Sequence, residues 1–130
     1  MKVVVDENLS PALARALAAL FAGEHQILHI RERYGPGVTD LQWISELSRE
    51  GGWVVISGDR RIRRNKAEFN AFRASRLTGF FLSAGLCKAP LVKQAERILA
   101  LWSGIETFAE RARPGSMFEL PLTSTRIGTL

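Results

Sequence analysis

The chain is poor in the residues that build cross-linked or chelated scaffolds, with one cysteine, Cys87, and two histidines, His25 and His29, in 130 positions. A single cysteine forms no internal disulfide, and one Cys with two His cannot supply the four ligands of a structural zinc site. Disulfide scaffolds and Cys/His zinc fingers are therefore excluded. Long apolar runs are also missing. Met1-Lys2 is followed by only three valines before charge returns, which predicts neither a signal peptide nor a membrane span. Thiol usage of this kind suits a reducing compartment, so the expected location is cytoplasmic. Five prolines and eleven glycines are too few for a collagen-like chain. With 46% apolar and 24% charged residues and a mean hydropathy near zero, the composition is that of one soluble globular domain. At this length a core forms without cross-links.

What is present in excess is positive charge, and its position is informative. Eighteen Lys and Arg face thirteen Asp and Glu, a net of +5, with a pI near 10.1, a balance that favours an anionic partner such as nucleic acid. Between Ser57 and Arg76 lie seven positives (Arg60, Arg61, Arg63, Arg64, Lys66, Arg73 and Arg76) against Asp59 and Glu68. The rest of the chain holds eleven of each sign. The whole excess therefore belongs to one segment, which marks Arg60, Arg61, Arg63, Arg64 and Lys66 as candidate phosphate-binding residues.

The chain alternates strand and helix signals. Lys2-Val3-Val4-Val5 has the β-branched character of a strand buried on both faces. Ser10-Pro11 opens a helix carrying Leu13, Leu17, Leu20 and Phe21 on one stripe, with Gly23 as its stop. A second strand is expected over residues 26–30, then a loop from Arg31 to Val38. Thr39 caps a helix whose Leu41, Ile44 and Leu47 face inward, ended by Gly51-Gly52. Trp53-Val54-Val55-Ile56 is the third strand, Thr78-Gly79-Phe80-Phe81-Leu82 the fourth, and Met117-Phe118-Glu119-Leu120 the last. Between the last two strands, Pro90 starts one long helix reaching Ala109, terminated by Arg113-Pro114-Gly115. The expected fold is a three-layer α/β/α domain over residues 1–122 with a mainly parallel sheet of four to five strands, followed by a flexible tail at 123–130.

In such sheets, function gathers beyond the carboxyl ends of the strands. Asp6 and Asp59 each follow a strand there, and Asp40 opens a helix that starts at the same edge. Alone, Asp6 could be a turn residue and Asp40 a favourable charge on a helix dipole. Together, three converging carboxylates repel one another unless a divalent cation neutralises them, and hard oxygen ligands suit Mg²⁺ or Mn²⁺. Beside a basic segment, such a cation points to phosphodiester chemistry. His25 and His29 read as ordinary strand and edge residues, Trp43, Trp53 and Trp102 as core, and Cys87 as a small apolar residue.

Three stretches carry a family resemblance: Val3-Val4-Val5-Asp6-Glu7-Asn8-Leu9-Ser10-Pro11, Thr39-Asp40-Leu41-Gln42-Trp43-Ile44, and Val54-Val55-Ile56-Ser57-Gly58-Asp59-Arg60-Arg61-Ile62. In this order on an α/β pattern they resemble the PIN-like domains related to VapC-type toxins, from the first strand through the fourth strand and the long helix. The resemblance implies a metal-dependent endoribonuclease, often the toxin half of a toxin–antitoxin pair, with Asp6, Asp40 and Asp59 as the matching catalytic and metal-holding positions. It further implies RNA as substrate, a small cognate antitoxin able to cover the acidic pocket, and pairing as a homodimer. Many PIN-type sites carry a fourth acidic or amide residue soon after the third aspartate, where this chain has Arg60, Arg61, Arg63 and Arg64, with Asn65 beyond. A fourth ligand from Asn8, Glu7 or Asn65, a one-metal site, and a degenerate domain that binds without cutting all stay open, with Asn8 and Ser57 as auxiliary positions.

One competing class is a signalling receiver, because Asp6-Glu7, Asp59 and Ser83 follow strands as in a phosphoacceptor pocket. Four arginines beside the acceptor and the lack of a lysine after a clear fifth strand speak against it. Another is a non-catalytic module that binds nucleic acid or a protein partner through the basic face.

Overall fold

The three valines of β1 (Lys2–Val5) are completely buried, and the strand lies inside the sheet with a parallel neighbour on each side. Residues 1–130 are described by a computed structural model. The chain continues through α1 (Pro11–Leu20), β2 (Gln26–His29), α2 (Ile30–Tyr34), α3 (Asp40–Glu50), β3 (Trp53–Ser57) and α4 (Lys66–Arg73). It ends with β4 (Thr78–Leu82), α5 (Ala84–Cys87), α6 (Leu91–Ala100), α7 (Trp102–Arg111), β5 (Met117–Leu120) and β6 (Gly128–Thr129). The sheet order is β2-β1-β3-β4-β5-β6, parallel throughout except for β6, which pairs antiparallel with β5.

Alternation along the strands divides the core between two faces. Val3, Val5, Val54 and Ile56 pack with Leu13 and Leu17 of α1 and with Ile98, Trp102 and Ile105 of α6 and α7. Val4, Trp53 and Val55 pack with Ile30, with Trp43, Ile44 and Leu47 of α3, and with Phe72 of α4. This is the three-layer α/β/α arrangement expected from the sequence. From β1 the chain runs outward to β2, then crosses back to β3 on the other side of β1, so the strand order switches direction between β1 and β3. Crevices open at such a point.

Local chemistry explains the boundaries. Ser10 caps α1, its hydroxyl accepting from Ala12 N–H at 3.1 Å, with Pro11 at the first helical position. Thr39 and Gln42 form a reciprocal capping box at α3. Arg76 closes the other end of α3 by donating to the carbonyls of Ser48 and Arg49. One member of the basic segment is thus a helix cap.

Several expectations are corrected. The second strand ends at His29, not at residue 30, and α2 starts at Ile30 and takes up the first part of the loop expected from Arg31, capped by His29, whose Nδ1 accepts from Arg31 N–H at 3.1 Å. The long helix expected from Pro90 is two helices, broken at Leu101. Its apolar periodicity runs through the break because both pieces face the same core. The sheet has six strands, not four or five, because residues 123–130, expected as a flexible tail, contain β6 and bury Ile127. No helix is long and apolar enough to cross a membrane.

Candidate metal centre

The ends of β1 and β3 deliver Asp6 and Asp59 to the switch point. Asp6 prolongs the β1 ladder, its N–H donating to Ile56 O at 2.9 Å, and it is buried, with 5% of its surface exposed. Both of its oxygens are engaged: Ser57 Oγ–H donates to Oδ2 at 2.8 Å and Glu7 N–H to Oδ1 at 2.7 Å. Ser57 Oγ also accepts from Asp59 N–H at 3.0 Å, and Asp59 Oδ1 accepts from Arg61 N–H at 2.8 Å. A single hydroxyl therefore ties the first carboxylate to the loop that presents the third.

Two helices bring the remaining carboxylates. Asp40 occupies the first turn of α3, and Trp43 Nε1–H donates to its Oδ1 at 2.9 Å. Glu68 occupies the first turn of α4, whose cap is Asn65, with Asn65 Oδ1 accepting from Glu68 N–H at 3.1 Å. Both sit where a helix dipole favours negative charge. Side-chain oxygens of Asp40, Asp59 and Glu68 lie within 4.8 Å of one another. Asp6 lines the same pocket beneath them, over a floor that includes Ile44, Val55, Ile62 and Phe72. The free space in the pocket is about 10 Å³, room for one water or ion and not for a nucleotide.

The electrostatics agree with the geometry. Burial is the main reason the Asp6 carboxyl is raised to about 6, opposed by the Ser57 hydrogen bond and reinforced by the charges of Asp40 and Asp59. Burial, then the charges of Asp40 and Asp59, push Glu68 up as well. Four carboxyl groups in an apolar-floored pocket repel one another, and a hard cation would relieve that repulsion. The donor set is all oxygen and fits Mg²⁺ or Mn²⁺.

A family-model comparison matches residues 1–84 to a PIN like domain. The chain belongs to the PIN-like domain family. The matched segment contains β1 to β4 and all four carboxylates of the pocket. No curated protein and no solved structure matches the chain.

Within this PIN-like frame, the residues singled out from the sequence separate into groups. Asp6, Asp40 and Asp59 line one pocket. The fourth carboxylate there is Glu68, which sequence reasoning counted only as a negative charge inside the basic segment. The positions considered for a fourth ligand are otherwise engaged. Asn8 Oδ1 accepts from Gly58 N–H at 2.9 Å, Glu7 pairs with Arg31 at 3.2 Å, and Asn65 caps α4. Asn65 was nevertheless the available signal, because an Asn cap with Glu three residues on marks a helix start and places that Glu in the first turn.

The basic segment divides as well. Arg60 is occupied, donating to Glu119 at 2.9 Å and to Leu82 O at 3.0 Å. Arg61, Arg63, Arg64 and Lys66 are exposed and make no ion pair. His29, fully buried, has both ring nitrogens in use, Nδ1 on Arg31 N–H and Nε2 at 2.8 Å from Leu9 O. It is a structural histidine.

Proposed function

We propose that the protein is a metal-dependent endoribonuclease in which Asp6, Asp40, Asp59 and Glu68 hold Mg²⁺ or Mn²⁺. The observation that carries this reading is the convergence of three carboxylates within 4.8 Å over a fourth, buried one, next to unpaired arginines. A cation bound there supplies Lewis acidity, easing deprotonation of water and offsetting the charge that gathers on the phosphate.

The chain's own groups set the rest. Ser57 and the Glu7 N–H fix both oxygens of Asp6, Trp43 fixes Asp40, and the Arg61 N–H fixes Asp59, so the donors are oriented before any ligand arrives. The apolar floor excludes bulk water and strengthens each charge interaction above it. Because the pocket is too small for a nucleotide, RNA stays on the rim, its phosphates held by Arg61, Arg63, Arg64 and Lys66. On the family resemblance we extend the reading to the toxin half of a toxin–antitoxin pair, whose cognate antitoxin would close the pocket with a basic side chain.

The test is cleavage of labelled RNA by purified protein with Mn²⁺ or with chelator, beside Asp59→Asn and Glu68→Gln. Metal-dependent cutting lost in both variants is expected. Cutting that survives in both, or in excess chelator, would overturn the assignment, whereas RNA binding without cutting would indicate a degenerate binding module.

A further inference from the structure

We propose that the cleft between the end of α4 and the turn at residues 113–116 is a second subsite for single-stranded nucleic acid, reached from the carboxylate pocket along a groove beside β6. It rests on the nuclease reading for its place in function, though not for its chemistry.

Two grooves meet at β6. One, of about 650 Å³, runs from Asp59 past Arg63 and Arg64 to Thr129. The other, of about 380 Å³, starts at Thr129 and is lined by Phe69, Arg73, Arg113 and Leu130, with no acidic side chain on its walls. None of these four arginines belongs to an ion pair. The two in the second cleft are brought together by Gly115, which is buried with φ +84 and approaches so closely that a Cβ would overlap the Arg73 carbonyl. A cleft lined by two arginines outside any ion pair offers guanidinium donors to a phosphate that enters it.

The cleft also carries a stacking element. The Arg73 guanidinium lies over the Phe69 ring, 5.8 Å from its centroid. A planar cation backed by a ring is a surface on which an unpaired base stacks, and bases held in a duplex cannot use it. Arg73 lies five residues along α4 from Glu68, an axial rise of about 8 Å. A strand that leaves the carboxylate pocket along the Arg63–Arg64 groove gains this cleft as an added contact, so affinity should grow with oligonucleotide length.

The experiment measures anisotropy of fluorescein-labelled oligouridines of about 3 and about 12 nucleotides in chelator, across a salt series, for wild type, Arg73→Gln/Arg113→Gln and Arg73→Lys/Arg113→Lys. The longer oligomer should bind at least tenfold more tightly to wild type. That gain should collapse in the Gln variant, with the slope of log K against log salt falling by about 0.7 for the one phosphate lost, and the Lys variant should recover the slope. Equal affinity for both lengths, or an unchanged slope in a folded Gln variant, would overturn the proposal. So would equal binding of duplex RNA, or displacement by polyglutamate as effective as by unlabelled single strand. Cleavage is scored separately with Mn²⁺: its absence beside intact length dependence removes the nuclease reading and supports the subsite.

Discussion

Ser57 donates its hydroxyl hydrogen to Asp6 at 2.8 Å across the gap between β3 and β1. The same oxygen receives the Asp59 N–H, so one side chain sets the spacing of two proposed cation ligands. Ser57→Ala should cost about 1–2 kcal/mol of stability, since it leaves a buried carboxylate oxygen unpartnered, and should weaken Mn²⁺ binding at least tenfold. Ser57→Thr should restore most of both. Calorimetric Mn²⁺ titration and denaturant unfolding read the two effects, and unchanged Mn²⁺ affinity in Ser57→Ala would remove Ser57 from the site.

The Asp6 carboxyl, raised to about 6 from an ordinary 3.8, gives the metal-free protein a pH dependence of definite sign. Between those values the folded state keeps a proton that the unfolded chain has released. Stability therefore falls as pH rises through this window, with at most about 3 kcal/mol from this one group. Glu68, also raised, acts in the same direction. Unfolding in chelator at about pH 4 and about pH 7 should show a larger fall for wild type than for Asp6→Asn. Equal falls would contradict the burial of a titrating Asp6.

Much of this site is legible in the sequence for a simple reason. Asp6 directly follows an apolar strand and Asp59 lies two residues beyond another, and a residue at or just past the end of a buried strand is placed largely by the strand itself. Asp40 is placed by the Thr39 cap before it. Glu68 depends instead on α4 folding back over α3, a tertiary event hidden inside a run dominated by arginine. The same holds for β6, where one buried Ile127 among small polar residues carries no periodicity to detect. The break at Leu101 escaped because a helix bend that keeps its apolar face on the same core leaves the spacing pattern intact.

Cation binding should be visible as stability. Mn²⁺ at a hundredfold excess over its Kd would add about 2.7 kcal/mol, or about 10 °C in Tm for a domain of this size. Asp59→Asn and Glu68→Gln should lose that increment while remaining folded without metal. Differential scanning fluorimetry with Mn²⁺, and with Na⁺ at matched ionic strength, separates binding from screening. A shift retained in both variants would place the ion elsewhere.

Ile127 tests the closing segment. It is 8% exposed and contacts the α7 helix at Gly104. Ile127→Ala should destabilise the protein by about 2–4 kcal/mol. A loss below about 0.5 kcal/mol, the range of ordinary surface changes, would mean that the Ile127 side chain does not anchor residues 123–130 to the core.

The four carboxylates are shared between two bodies. Asp6 and Asp59 are anchored at the ends of β1 and β3, whereas Asp40 and Glu68 ride on α3 and α4, which pack against each other on one face. An ion among them would act as a rivet through sheet and helical layer, and its removal would free that layer to breathe. Amide exchange should register this as faster opening of the first turns of α3 and α4, with β1 and β3 unmoved. In this protein the ligand set is also a mechanical seam.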